Sequence, residues 1–425
     1  MSTASDTRSA LLPIGTEINE RGHLELGGCD AVELARELGT PLYVLVEDDL
    51  RARARAYHAA FEAAGHSDYE LLFASKSLPV PAVFACFAEE GFGGDVSSGG
   101  ELRLALAGGV APARIAYHGN SKSDAEIHEA VAAGVSTIVI DAVDEVPRVA
   151  TAARAAGRRQ PVLVRVTPDV TPDTHASIST GQADSKFGVN LDEAPALLDA
   201  LASDPDLELR GLHFHVGSAL RSLGAFRAAI AAIAPLGDFP VYNLGGGLGV
   251  AYAEGERDGS IAEWVRTAVD AVRESMGPGK RIILEPGRSL VAHAGVTLYR
   301  VESVKRNVRT WVAVDGGMSD NPRPQLYGAR YEALIADRAG EAGNVEATVA
   351  GKHCESGDVL IERALLPDPR VGDVLATPVT GAYGHAMASN NNAALRPAVA
   401  MVSGGDARVV VRRETYDDLL ARHLA

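Results

Sequence analysis

"RIAYHGNSKSDAEIHEAVAAGVSTIVID", residues 114–141, decides the fold. A short β-branched run, RIAYH, leads into an Ala-rich amphipathic stretch that closes on Gly134, where a helix takes its left-handed cap, and a second β-branched run, STIVID, follows. That is one βα unit and the strand of the next. The same rhythm extends in both directions, from about residue 70 to 290. Candidate strands are ELLFAS (70–75), FGGDV (92–96), RIAYH (114–118), STIVID (136–141), PVLVRV (161–166), GLHFHV (211–216), VYNL (241–244) and RIILE (281–285). Helix-like segments such as SGGELRLALAGG and IAEWVRTAVDAVRESMG lie between them. Eight strands with intervening helices in about 220 residues match a (β/α)8 TIM barrel. A doubly wound open sheet is the competing arrangement.

After residue 290 the pattern becomes β-rich, with VTLYRVESVKR, TWVAVDGG, EATVAG and ARVVVRRE separated by Gly, Asn and Pro turns. The expectation is an α/β chain: residues 1–40 join the β domain through LLPIGTEINERGHLEL, 41–290 form the barrel, and 291–425 form a C-terminal all-β domain.

The bulk composition narrows the function. The 425 residues carry a formal charge of −16, which repels phosphate backbones and anionic lipid, so nucleic acid and membrane are not expected partners. No apolar run approaches the roughly 18 residues of a bilayer span. The polar start, MSTASDTRSA, reads as a disordered leader rather than a secretory signal, which points to the cytoplasm. Cys29, Cys86 and Cys354 are odd in number and lack C-x-x-C spacing, so neither a disulfide framework nor a metal site is expected.

In a barrel the reactive groups collect where strands end. Those ends carry Lys76, Asp95, His118, Asp141, Arg165, His215, the triplet Gly245, Gly246 and Gly247, and EPGR from Glu285 to Arg288. NLGGGLG lets backbone N–H groups approach an anion, although the same triplet also suits a tight turn. Ser218 and Arg288, one strand to either side, favour a phosphate. Lys76 ends an apolar strand; among apolar neighbours its amine would be neutral and fit for a Schiff base, and otherwise it is a solvated strand end. His213 and His215 alternate, so both are expected on one face, as core histidines or as functional ones. Glu285 at the mouth could keep a heteroaromatic nitrogen protonated. An imine-forming lysine, phosphate donors, a flat ring to stack and a carboxylate for a pyridine nitrogen together specify pyridoxal phosphate.

With these motifs in view the chain resembles the alanine-racemase-like, fold-type III group of pyridoxal-phosphate decarboxylases, and within it the diaminopimelate decarboxylase family. The resemblance runs from about residue 40 to the C-terminus through ASKS, GGDVSSGGEL, HGNSKSDAEI, STGQADSKFGV, HFHVGS, NLGGGLG, EPGRS, DGGMSDNPRPQLYGARY, CESGD and GAYGHAMASN. It implies that Lys76 carries the cofactor as a Schiff base and that His215 stacks on its ring. Ser218 and Gly245 to Gly247 hold the phosphate, helped by Gly287 and Arg288, while Glu285 pairs with the pyridine nitrogen. Asp95 and Tyr383 complete the expected cofactor set. Arg288, Arg323, Tyr327, Glu355 and Tyr383 become substrate contacts, and Cys354 the proton donor.

The implied reaction is decarboxylation of meso-2,6-diaminopimelate to L-lysine, in a homodimer whose subunits share active sites. Arg323 would fork onto a distal carboxylate and Glu355 would accept from a distal ammonium. Ser77, Ala219 and Asn391 depart from the family pattern beside the site, which leaves open a paralogue acting on a related or carrier-bound amino acid. A racemase on the same scaffold is the other alternative, and CESGD argues against it because a racemase would use a tyrosine as the opposing acid.

Overall fold

The computed structural model describes residues 10–170, 185–220 and 223–424; the leader expected at the N-terminus and part of STGQADSKFGV lie outside them. The described chain separates into two compact units. One comprises Arg53–Val250 with Asp258–Ser289, and the other comprises the segment up to Ala52, Ala251–Arg257 and Leu290 onward.

The first unit is a closed barrel of eight parallel strands. In order around the barrel they are Tyr69–Ala74, Gly93–Val96, Ile115–Tyr117, Thr137–Ile140, Gln160–Thr167, Leu207–His213, Val241–Asn243 and Arg281–Leu284. Closure is parallel, with Ile282 opposite Tyr69 and Leu284 opposite Leu71. Every residue of Gln160–Thr167 is buried, as a strand covered on both faces requires. The open-sheet alternative is thereby excluded.

Local sequence explains the helices. The helix Asp124–Ala133 starts on a capping box between Ser123 and Glu126 and stops at Gly134, whose φ of 84° is left-handed. Ile127, Ala130 and Val131 form its buried face, at the i, i+3, i+4 spacing of an amphipathic helix.

One strand differs from its sequence expectation. Leu207–His213 begins four residues before the apolar run at 211–216 and ends inside it, because Leu207–Leu209 pair with Gln160–Val162 at the barrel base, with a register shift between Leu209 and Gly211. Gly211 is needed there: a Cβ would lie 1.8 Å from the Val241 carbonyl oxygen of the adjacent strand. His213 is therefore the last ladder residue and His215 lies beyond it, so the two are not alternate members of one strand.

The second unit is built on a mixed sheet ordered Val359–Leu366, Val345–Ala350, Thr310–Val314, Gly295–Arg306, Leu42–Val46, Ala398–Ser403 and Asp406–Val411. Leu24 and Leu26 of the N-terminal segment pack into one buried cluster with Leu42, Val44, Val296, Leu298 and Val402. The segment thus supplies core to a β sheet whose strands, apart from Leu42–Val46, come from the far end of the chain. Among the described residues, no helix is long and apolar enough to cross a membrane.

Candidate active site

The barrel strands bring polar side chains together at their C-terminal ends. Lys76 follows its strand in the single turn Ser75–Ser77, and its Nζ lies 3.2 Å from Asp95 Oδ2. The lysine side chain is 44% exposed, whereas that of Asp95 is 3% exposed. This corrects the apolar setting considered for the amine: its neighbour is a carboxylate, which favours the ammonium. Burial pushes the Asp95 carboxyl up, against the pull of Lys76 and His118.

Glu285 sits in the middle of a second group. Its Oε1 receives Asn243 Nδ2 at 2.6 Å and lies 2.8 Å from His118 Nε2, a close approach that is off the line of a good hydrogen bond. Its Oε2 lies 3.3 Å from His213 Nε2. Burial works against the charge on Glu285, but the two imidazoles outweigh it and hold the carboxyl well below its ordinary range. Burial drives His213 down to about 4, so its ring is neutral near pH 7 and donates through Nε2. The three donor atoms of His118, His213 and Glu285 lie within 4.8 Å of one another, close enough for one cation. The short Asn243 N–H contact already occupies Oε1, so the arrangement reads as a carboxylate held by donors.

The glycine triplet follows Asn243. A Cβ on Gly246 would lie 2.2 Å from the Glu285 carbonyl oxygen, and one on Gly247 would lie 2.3 Å from the Gly217 carbonyl oxygen. No side chain fits at either position, so the backbone of this turn is bare. Gly246 N–H donates to His215 Nδ1 at 3.3 Å. Burial, reinforced by the Lys76 and Arg165 cations, lowers the His215 pKa well below the imidazole value and keeps that nitrogen an acceptor. Ser218 lies on the half-buried loop after this strand, beside Ala219 with a φ of 60°. Gly287 is buried and Arg288 half-buried, just past Pro286, whose carbonyl accepts from Ala74 N at 3.0 Å.

The remaining sequence candidates lie in the second unit. Arg323 is buried at the start of the short helix Arg323–Tyr327, its guanidinium 4.3 Å above the Tyr252 ring and donating to the Tyr331 hydroxyl oxygen. Tyr327 is half-buried, as is Tyr383, whose φ of 61° is strained for a tyrosine. Cys354 and Glu355 are both exposed, on the turn between Val345–Ala350 and Val359–Leu366. The turn is braced from below: Asp358 accepts from Met318 N at 2.7 Å and His353 N at 2.8 Å, and Gln325 donates to Gly357 O at 3.1 Å. A buried structural role for the Cys354 thiol is thereby excluded.

Residues 47–292 match the family model described as "Pyridoxal-dependent decarboxylase, pyridoxal binding domain". The chain belongs to the pyridoxal-dependent decarboxylases. Over 98% of its length it is 47% identical to a diaminopimelate decarboxylase of Actinosynnema pretiosum subsp. auranticum, covering 96% of that protein. The M. jannaschii diaminopimelate decarboxylase in co-complex with L-lysine superposes with a TM-score of 0.89 at 32% identity, over 96% of this chain and 98% of that one. The Helicobacter pylori enzyme complexed with L-lysine gives 0.86 at 30%, over 92% and 98%.

This decarboxylase is an amino-acid carboxy-lyase that uses pyridoxal phosphate. The barrel mouth fits that group. It presents a primary amine for an aldehyde, a glycine turn with no room for side chains beside a phosphate and a buried carboxylate for a ring nitrogen. Sequence reasoning placed His118 among the strand ends without giving it a role and passed over Asn243. The signal for Asn243 was its place at the strand end, two residues before the glycine triplet. Around Arg323, Tyr331 closes the DGGMSDNPRPQLYGARY motif but was given no role, and Tyr252, in a loop, was passed over.

Another buried carboxyl makes the stability of the decarboxylase pH-dependent. Burial pushes Asp320 up to about 7, against donation from Gly317 N–H and the Ser319 hydroxyl, with Asp315 and Asp358 adding repulsion. Between about pH 4 and that value the folded chain holds a proton that the unfolded chain has released, so stability falls as pH rises through this window. Asp320→Asn removes the loss. The variant is expected to show a flatter Tm between about pH 5 and about pH 8, and a gain of up to roughly 4 kcal/mol at the alkaline end. Thermal melts of both proteins at the two pH values check it; parallel curves would refute the assignment.

Proposed function

We propose that this decarboxylase removes one carboxyl group of meso-2,6-diaminopimelate, at its D-centre, and releases L-lysine and CO2. The observation that carries the reading is near full-length similarity, at 39–47% identity, to proteins named diaminopimelate decarboxylase. Bound pyridoxal phosphate supplies a pyridinium that takes up the electrons left by departing CO2. In this reading Lys76 anchors the cofactor aldehyde, with Asp95 beside it, and His215 stacks on its ring. Gly245, Gly246, Gly247, Ser218, Gly287 and Arg288 hold the phosphate, and Glu285 keeps the ring nitrogen protonated.

Arg323 is the candidate for the distal carboxylate, its planar fork fixed by Tyr252 and Tyr331. Arg288, Tyr327 and Tyr383 contribute further substrate contacts. Glu355 accepts from the distal ammonium, and Cys354 returns a proton to the α-carbon. The exposure of Cys354 and Glu355 on a braced turn supports a homodimer in which this turn completes the partner's site. A biosynthetic substrate of this kind places the enzyme in the cytoplasm.

The test is a mass-spectrometric panel of meso-diaminopimelate, its stereoisomers, lysine, ornithine, arginine and carboxynorspermidine. A site built to pair a carboxylate rejects a substrate that lacks one by on the order of 10⁴ in kcat/KM. Preference for any substrate without a distal carboxylate would refute the use of Arg323.

A further inference from the structure

We infer that His118, His213 and Asn243 are positioning residues that keep the Glu285 carboxylate ionised and aimed for the pyridine nitrogen, an inference that rests on the Glu285 role proposed above. The difficulty they solve is desolvation. Glu285 is 4% exposed, and a carboxyl buried without partners takes up a proton. A protonated Glu285 could not hold a second proton on the cofactor ring.

Groups from three different strand ends surround it: Asn243 donates to Oε1 at 2.6 Å, His213 Nε2 lies 3.3 Å from Oε2, and His118 Nε2 approaches Oε1 to 2.8 Å off the line of a hydrogen bond. An ionised carboxylate offers about four acceptor positions. The described protein groups approach three of them, two at Oε1, and the remaining position is at Oε2.

The Asn243 amide is fixed in orientation. Its Oδ1 accepts from Gly245 N at 3.0 Å, so Nδ2 must face Glu285, and Glu285 N donates back to Gly245 O at 2.8 Å. One side chain thereby ties the glycine triplet to the carboxylate. His213 remains a neutral donor for reasons of packing. Its ring meets that of His118 edge to face at 4.8 Å between centroids, and its Nδ1 has no hydrogen-bond partner among the described residues. Arg165 and Lys76 are the cations nearby, and Asp95, 3.6 Å from His118 Nε2, is the other carboxyl. A second proton placed on the His213 ring would have to be buried beside the His118 imidazole.

The experiment uses full-length protein loaded with pyridoxal phosphate labelled with ¹⁵N in the ring, because the nitrogen chemical shift reports protonation directly. The native protein should show a protonated ring nitrogen at neutral and mildly alkaline pH. His213→Leu and Asn243→Asp, the latter setting a second carboxyl against Glu285, should lower the pH at which that proton is lost by about one unit or more. His213→Gln keeps an N–H near the Nε2 position and should restore it. Should the leucine variant fail to fold, Asn243→Asp, nearly isosteric with the native side chain, reads the same signal.

A native-like nitrogen signal in Asn243→Asp and His213→Leu, with that signal lost in Glu285→Gln, overturns the inference and leaves the Glu285 role intact. Retention of the proton in Glu285→Gln as well overturns the role itself. A purely structural contribution would lower the Tm of the cofactor-free protein without moving the signal, and that outcome also counts against the inference.

Discussion

Borohydride treatment of the pyridoxal-phosphate-loaded enzyme is expected to bleach its visible absorbance and leave a reduced cofactor adduct on Lys76, while Lys76→Ala yields no adduct and loses on the order of 10⁴- to 10⁶-fold in kcat. That is the scale seen when an enzyme loses its covalent nucleophile. The fold should survive, because the lysine side chain is almost half exposed and fills no core position. What changes is Asp95. Lys76 lowers its pKa against the effect of burial, so removing the amine lets Asp95 hold its proton to higher pH rather than leaving an uncompensated buried charge. Peptide mapping locates the adduct; a modified lysine elsewhere would overturn the cofactor assignment.

Replacement of Cys354 is expected to separate chemistry from stability. A positioned general acid contributes about 10²- to 10⁴-fold to rate, and Cys354→Ala should lose a comparable factor in kcat at unchanged cofactor content. Cys354 is exposed and its turn is braced by Asp358 and Gln325, so the unfolding free energy should stay within about 0.5 kcal/mol of native. Single-turnover assays following CO2 release and deuterium uptake from solvent distinguish a slow proton return from a lost binding contact. Unchanged turnover with a lowered Tm would mean that the thiol is structural after all.

The barrel was legible because its signal is local. The alternation of β-branched runs with Gly-terminated amphipathic segments survives in any window of the sequence, and the residues that end the strands, from Lys76 to Glu285, are where the structure finds them. The miss at Leu207–His213 has a local cause as well: charged Glu208 and Arg210 interrupt the apolar pattern ahead of residue 211, yet Leu207–Leu209 pair along the barrel base and the two charges meet each other at its solvent side. The setting of Lys76 was not legible. An apolar strand ahead of it suggested apolar surroundings, but its neighbour comes from the adjacent strand, in which Asp95 is opposite Ala74.

The amino-acid order by itself determined the βα repeat, the side-chain-free glycine turn and the supply of reactive groups at strand ends, since each depends on residues within a few positions of one another. Only the tertiary structure decided which groups meet. Barrel closure seats Glu285 against His118 and His213, and the pairing of Leu42–Val46 with Gly295–Arg306 and Ala398–Ser403 draws the N-terminal segment into the second unit. Charge states follow from that assembly, because the protonation of a buried carboxyl depends on donors that distant strands bring to it rather than on its neighbours in the chain.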